Sequence, residues 1–393
     1  MLQAVGKETG QVTAVPSGQQ TEREICVRCV MDTTDPDITF DEQGVCNHCR
    51  QFDLVYKPVL ERAASKEGPA RLATLVDKIK AQGVGKDYDC IIGISGGVDS
   101  TYVAWKVKEL GLRPLAVHFD SGWNSELAVA NIENLVKRLG FDLHTFVVDW
   151  EEMADLQLAF FKASLANCDI PTDHGFLAVL YHTAAKYGIK TFISGGNIAT
   201  ESILPQAWGY NASDLRHIRA IHRRFGRVPL RSYPTLSFFQ RYFWFPVVKG
   251  FREVRLLNYL PYNKNDAKEL ISRELDWRDY GGKHYESIFT RFFQAYYLPQ
   301  KFGFDKRKAH LSSLIVSGQT TREEALQELN KPTAPFDLME RDKEFVARKM
   351  GITVTQFDAI LSQLPKSYRD YPSNERLFIL KNQIMNFVRS KAE

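Results

Sequence analysis

The chain has no run of eighteen apolar residues, so no membrane-spanning helix and no membrane partner are expected. Residues 1–20 are rich in Gly, Gln and Thr and lack an apolar segment, so they read as a loose tail and not a signal peptide. A cytoplasmic protein is the resulting expectation. The kinase-type phosphate loop, Gly-x-x-x-x-Gly-Lys-Ser/Thr, is missing: Gly85-Lys86 is followed by Asp87. The GxGxxG dinucleotide fingerprint is missing too. The formal net charge of +4 is too small for 393 residues to argue by itself for nucleic acid, although it suits an anionic substrate. No internal repeat or low-complexity tract occurs. With 44% hydrophobic and 25% charged residues the chain is expected to pack as a globular protein, and its length suggests two or three domains.

What is present is the hexapeptide Ser95-Gly96-Gly97-Val98-Asp99-Ser100, between an apolar run (90–94) and a helix-like run (101–107). A buried strand, a glycine turn and a helix start make an anion cradle. Glycine lets backbone approach phosphate oxygens, and the first helical N–H groups have no partner of their own. Ser95, Ser100 and Thr101 add hydroxyls, and Asp99 suits Mg²⁺.

Of the six cysteines, four fall as Cys26-x-x-Cys29 and Cys46-x-x-Cys49. In a reducing compartment this spacing reads as a closed, structural zinc site with a hairpin turn at 41–44. His48 could compete as a ligand, and a pair of redox disulfides is the alternative. Cys90 falls in a predicted strand as a small core residue. Cys168 precedes what looks like a loop leading into a helix.

Apolar runs at 88–94, 114–119, 143–148 and 190–194 read as parallel strands buried on both faces. Helix-like stretches at 100–110, 126–139 and 151–187, the last broken near Pro171, lie between them. The alternation implies an α/β fold with a doubly wound parallel sheet, preceded by the four-cysteine module and followed by a helical C-terminal region. The expected divisions are a tail at 1–24, the zinc module at 25–50, a helical connector at 51–85, an ATP-binding core at 86–202, a substrate-binding region at 203–330 and C-terminal helices at 331–393. Ligands in such sheets sit beyond the carboxyl ends of the strands. That rule selects the loop at 95–100, the loop at 118–124, the loop after Asp149, and a second glycine-rich turn, Gly195-Gly196-Asn197, followed by Thr200 and Glu201. Strand alternation is expected to stop beyond residue 202. Arg216, Arg219 and Arg223 recur at helical spacing opposite Ile218, Ile221 and Phe225, and could bind a diphosphate or carboxylate through forked hydrogen bonds, or simply face solvent.

The string at 95–100 resembles the signature of the PP-loop, or N-type, ATP pyrophosphatases, an adenine nucleotide alpha hydrolase-like fold. The resemblance implies attack at the α-phosphorus of ATP with loss of pyrophosphate. It also implies that the backbone around His118, Phe119 and Asp120 meets the adenosine, and that Gly195, Gly196 and Asn197 face the α-phosphate or the substrate. Combined with the four-cysteine module and the stretch Gly-Gly-Lys-His-Tyr-Glu-Ser-Ile-Phe-Thr-Arg-Phe at 281–292, the chain resembles the N-acetyl sugar amidotransferases of bacterial surface-polysaccharide (LPS, O-antigen) clusters. For that family the implied reaction converts an acetamido group of a UDP-linked 2,3-diacetamido uronic acid to an acetamidino group, using ATP, Mg²⁺ and ammonia, with Zn²⁺ as a structural metal. Within the stretch, Lys283, His284 and Glu286 are candidate catalytic groups beside Asp99, and Arg291 is a candidate substrate ligand. No glutaminase signature occurs, so the resemblance implies a partner glutaminase similar to the pair of subunits in imidazole glycerol phosphate synthase. The competing readings are a tRNA-thiolating sulfurtransferase, for which Cys168 would be the one cysteine outside zinc module and strand, and a non-catalytic zinc-bearing interaction protein. The modest charge leaves nucleic acid unexpected as a partner.

Overall fold

The computed structural model describes residues 23–282 and 285–390. Lys283, His284 and most of the N-terminal tail therefore lie outside the described residues. A five-stranded sheet, ordered β3-β2-β1-β4-β5, forms the centre. Its strands are β1 (Cys90–Gly93), β2 (Pro114–Asp120), β3 (Asp142–Val147), β4 (Thr191–Ser194) and β5 (Arg252–Arg255), and every pairing is parallel. Successive side chains along a strand point to opposite faces. Ile91, Leu115, Val117 and Phe192 therefore enter one core with helices Trp150–Lys162 and Ile170–Lys186. Ile92, Ala116 and Ile193 enter a second core with helices Val98–Glu109, Glu126–Leu139 and Lys264–Leu275. The break near Pro171 is real: one helix ends at Lys162 and the next begins at Ile170, with proline in its first turn.

Two expectations are corrected. The alternation does not end at residue 202, because β5 adds a strand beside β4 and helix Lys264–Leu275 packs back against helix Val98–Glu109. The sheet unit thus draws on residues beyond the boundary placed there. β3 is also not buried on both faces: it is the sheet edge, and Val147 is 67% exposed.

The four-cysteine module packs a third core from Ile203, Trp208 and Ala309. Arg322 donates to the carbonyls of Cys26 and Cys29, and Val30 N–H to Ser312 Oγ at 3.2 Å. The C-terminal region is helical, and a capping box of Thr321 and Glu324 starts helix Arg322–Leu329. No helix among the described residues is long and apolar enough to cross a membrane.

Candidate active site at the switch point of the sheet

Strand order runs one way from β1 through β2 to β3 and the other way from β4 to β5. The loops leaving β1 and β4 diverge there, which opens a crevice at their carboxyl ends. Both glycine-rich turns border it. Gly96 has a φ of 81°, a conformation that glycine adopts without strain. A Cβ on Gly195 would lie 3.2 Å from the amide nitrogen of Ser100, so the second turn abuts the first backbone to backbone.

Gly97 is the N-cap of helix Val98–Glu109 and has no side chain to cap the first turn, the arrangement by which helix starts receive anions. Ser95 Oγ and Ser100 Oγ stand 3.2 Å apart, Gly97 N–H reaches Ser95 Oγ at 3.3 Å, and Ser100 Oγ donates to the Gly97 carbonyl at 3.1 Å. Asp99 receives a hydrogen bond from Tyr262, whose hydroxyl burial and Asp99 itself hold well above the usual tyrosine range. Thr101 departs from expectation. Its side chain is fully buried, its N–H bonds the Gly97 carbonyl and its hydroxyl makes no hydrogen bond, so it adds no exposed donor to the cradle.

The shape of the cradle is set from far along the chain. Trp277 Nε1 and the Tyr280 hydroxyl both donate to the Gly96 carbonyl, at 2.7 and 2.6 Å. Pinning that oxygen fixes the peptide plane, and with it the direction of the Gly97 N–H on the opposite side. Replacing both donors, Trp277→Phe with Tyr280→Phe, removes two hydrogen bonds worth about 1 kcal/mol each and should weaken ATP binding by about tenfold or more. Titration calorimetry with unchanged affinity would refute this role.

The downstream stretch also reaches the site. Asn124 and Ser287 form an antiparallel bridge, Ser125 N–H bonds the Glu286 carbonyl, and Ile288 N–H bonds the Trp123 carbonyl. Glu286 thereby stands against the glycine turn: a Cβ on Gly97 would lie 3.4 Å from Glu286 Oε1. Helix Phe336–Lys349 buttresses the same loop, with Lys349 Nζ 4.6 and 4.4 Å from the ring centres of Trp123 and Trp150.

The side chains of the second loop shape it and do not face outward. His118 donates from Nδ1 to the Ile94 carbonyl at 3.0 Å and accepts from Asn124 at Nε2. Phe119 stacks on Phe146, and Asp120 accepts from Gly122 N–H and Asn124. The Val117 carbonyl is taken by Ile94 N–H. A ligand is left with the backbone edge of β2 past the last pairing with β1 at Gly93. Asn197 is likewise a cap: its Oδ1 accepts from Thr200 N–H at 2.9 Å.

The candidate arginines lie away from the glycine turns or are already paired. Arg216, Arg219 and Arg223 are exposed on helix Leu215–Phe225, which packs on helix Trp150–Lys162 with Ile218 and Ile221 buried, a layer removed from the sheet. Arg291 is closed by Asp342, with Nε and Nη2 2.7 and 2.8 Å from its two oxygens, in a largely buried pair.

Sequence reading gave no role to two acidic groups at the crevice. Glu201 Oε2 would lie 3.9 Å from a Cβ on Gly196, which puts its carboxylate beside the second glycine turn. Asp173 is in the first turn of helix Ile170–Lys186, exposed, and close enough to Asp169 and Glu201 for their charges to act on its carboxyl. The Thr200-Glu201 pair directly after the glycine turn was the available signal for the first. Nothing local signals the second.

The four cysteine sulfurs lie within 4.8 Å of one another, with Cys26–Cys49 and Cys29–Cys46 at 3.9 and 3.7 Å. A tetrahedron with Zn–S of about 2.3 Å needs about 3.8 Å between sulfurs, so the set fits zinc. His48 is not in it; its Nε2 is 2.7 Å from Asp35. Cys90 and Cys168 are fully buried, and the Cys168 thiol points at the Leu165 carbonyl.

Residues 286–385 match the family model described as LPS biosynthesis protein WbpG-like, C-terminal domain. That span starts at the Glu286 end of the stretch carrying the surface-polysaccharide resemblance. Over 325 residues the chain is 23% identical to the uncharacterized protein MJ1599 of Methanocaldococcus jannaschii, covering 80% of this chain and 96% of that protein. Similar solved structures include the NMN synthetase of Francisella tularensis, at 14% identity and a TM-score of 0.32 over 77% of this chain and 97% of that one. Another is the NH3-dependent NAD synthetase of Campylobacter jejuni, at 13% identity and a TM-score of 0.31 over 76% of this chain and 97% of that one.

Proposed function

We propose that the chain is an ATP-dependent amidotransferase of surface-polysaccharide synthesis, forming AMP and pyrophosphate. The substrate in this reading is a UDP-linked 2,3-diacetamido uronic acid, one acetamido group of which becomes an acetamidino group. The carrying observation is the convergence of both glycine turns with Glu286 at the switch point. The amide oxygen attacks the α-phosphorus, the bond between the α-phosphorus and the bridging oxygen breaks, and pyrophosphate leaves. Ammonia then adds to the imidate carbon and loses a proton. AMP departs with the former amide oxygen, leaving the amidine.

In this scheme the open amides of the first helical turn, with Ser95 and Ser100, hold the departing phosphates. Asp99 and Glu201 are the groups suited to Mg²⁺, which would neutralise charge on the phosphates. Glu286 stands where it can accept a proton from ammonia or orient the amide nitrogen. Lys283 and His284 keep their candidate roles in phosphate neutralisation and proton handling. Two fully buried cysteines and four gathered at the metal site leave no thiol placed as a glutaminase nucleophile or a sulfur carrier. This favours ammonia delivered by a separate glutaminase and disfavours thiolation of tRNA.

Substrate carrying ¹⁸O in its acetamido groups is expected to place the label in AMP, with ammonium salts supporting turnover and glutamine alone failing. Formation of ADP and orthophosphate, or efficient use of glutamine by the single chain, would overturn the proposal.

A further inference from the structure

A second cavity, about 450 Å³, opens between the four-cysteine module, the 165–170 turn and the segment 365–369. Its size suits a nucleoside-sized ligand. One wall is aromatic: Tyr368 lies on Tyr210 with ring centres 4.1 Å apart, and Phe304 faces the same space. Two carboxamides, Asn167 and Gln206, line it as well. Asn167 is held by the Tyr210 carbonyl and the Asp169 N–H, whereas Gln206 gives one N–H to the Tyr368 hydroxyl and keeps a donor and an acceptor side by side, the complement of a nucleobase edge. Lys366 supplies a cation at the rim, as a diphosphate needs, beside Arg369, which is paired with Glu375. His217 lines the cavity and is fully buried, yet neither ring nitrogen makes a hydrogen bond within the chain. Burial holds the ring below the usual histidine range, against the pull of Asp214 and of the Pro372 carbonyl, the one backbone oxygen set toward the ring. Buried polar groups are normally paired, so a polar occupant suits this cavity better than an apolar one.

The cavity is joined to the ATP crevice by two short pieces of chain. Ile170 lines the cavity and Asp173, one helical turn on, borders the crevice, an axial rise of about 4.5 Å. Glu201 is at the crevice and Gln206 at the cavity, so these two positions are at most about 18 Å apart. A nucleotide sugar has its reacting amide and its base at opposite ends of a diphosphate.

We infer that this cavity holds the uridine diphosphate of the nucleotide-sugar substrate, with the base against Tyr368 and the sugar reaching toward Gly97. The inference rests on the nucleotide-sugar reading above. UDP alone, titrated calorimetrically into the full chain without ATP, is expected to bind. Tyr368→Ala and Gln206→Ala should each weaken UDP at least about tenfold, leaving ATP affinity and Tm within error, and Tyr368→Phe should restore binding. Undiminished UDP binding in both alanine variants, no UDP binding by the wild type, or equal displacement of UDP by ADP would overturn the assignment. If sugar-dependent AMP formation persists in that case, the amidotransferase reading survives. If UDP binds in the cavity but no sugar yields AMP, it is the reaction that fails.

Discussion

Asp99→Asn is expected to lower sugar-dependent AMP formation by about 10²–10³-fold, with Tm unchanged. Asparagine keeps the size of the residue and an oxygen to accept from Tyr262, so the cradle retains its shape. In the proposed reaction what is lost is a carboxylate that would hold Mg²⁺, and with it part of the charge neutralisation that Mg²⁺ would supply to the phosphates. The variant should therefore require more Mg²⁺ for half-maximal rate. Tyr262→Phe separates charge from placement: it keeps the carboxylate and removes its tether, and a loss of about tenfold is expected. Radiolabelled ATP resolved into AMP and ADP checks both. An Asp99→Asn enzyme at near wild-type rate would remove the metal role from this residue.

The second large effect concerns stability. Chelation under native conditions should release about one zinc per chain, and Tm should fall by roughly 5 °C or more, since closed four-thiolate sites contribute much of the folding energy of their modules. Four fully buried sulfurs without a metal repel one another or carry unsatisfied protons. The damage should spread, because Trp208 Nε1 donates to the Thr34 carbonyl and Trp208 lies on Phe304, a wall of the second cavity. Cys29→Ser should reproduce the loss. Thiol titration after denaturation without reductant separates this from two disulfides: a zinc site yields six reactive thiols, all six being free in the structure, and paired disulfides yield about two. Two thiols and no zinc would overturn the metal centre.

Much of the centre of the fold was legible because its signals are local. β1, β2 and β4 are short apolar runs followed by turn residues, and the glycine turn at 95–97 announces itself by composition. β5 was missed because Arg252-Glu253-Val254-Arg255 has the polar character of an edge strand and only four residues. Arg216, Arg219 and Arg223 stay ambiguous in the sequence for the opposite reason. A basic stripe on an amphipathic helix looks the same whether it faces a diphosphate or water, and only the position of helix Leu215–Phe225 outside the Trp150–Lys162 layer decides. Arg291 gives no hint of its partner, since Asp342 is 51 residues away. The clamp on Gly96 has no sequence signature at all: it joins side chains to one carbonyl oxygen, and such contacts impose no periodicity on the chain.

That clamp has a consequence during synthesis. Trp277 follows Gly96 by 181 residues, so a ribosome adding about 5–20 residues per second emits the phosphate loop roughly 10–40 s before the side chain that fixes it. The unfinished nascent chain carries the glycine turn without a fixed peptide plane, and fragments released early would have little hold on nucleotide. The loop can take its final shape only after the chain has emerged past Tyr280.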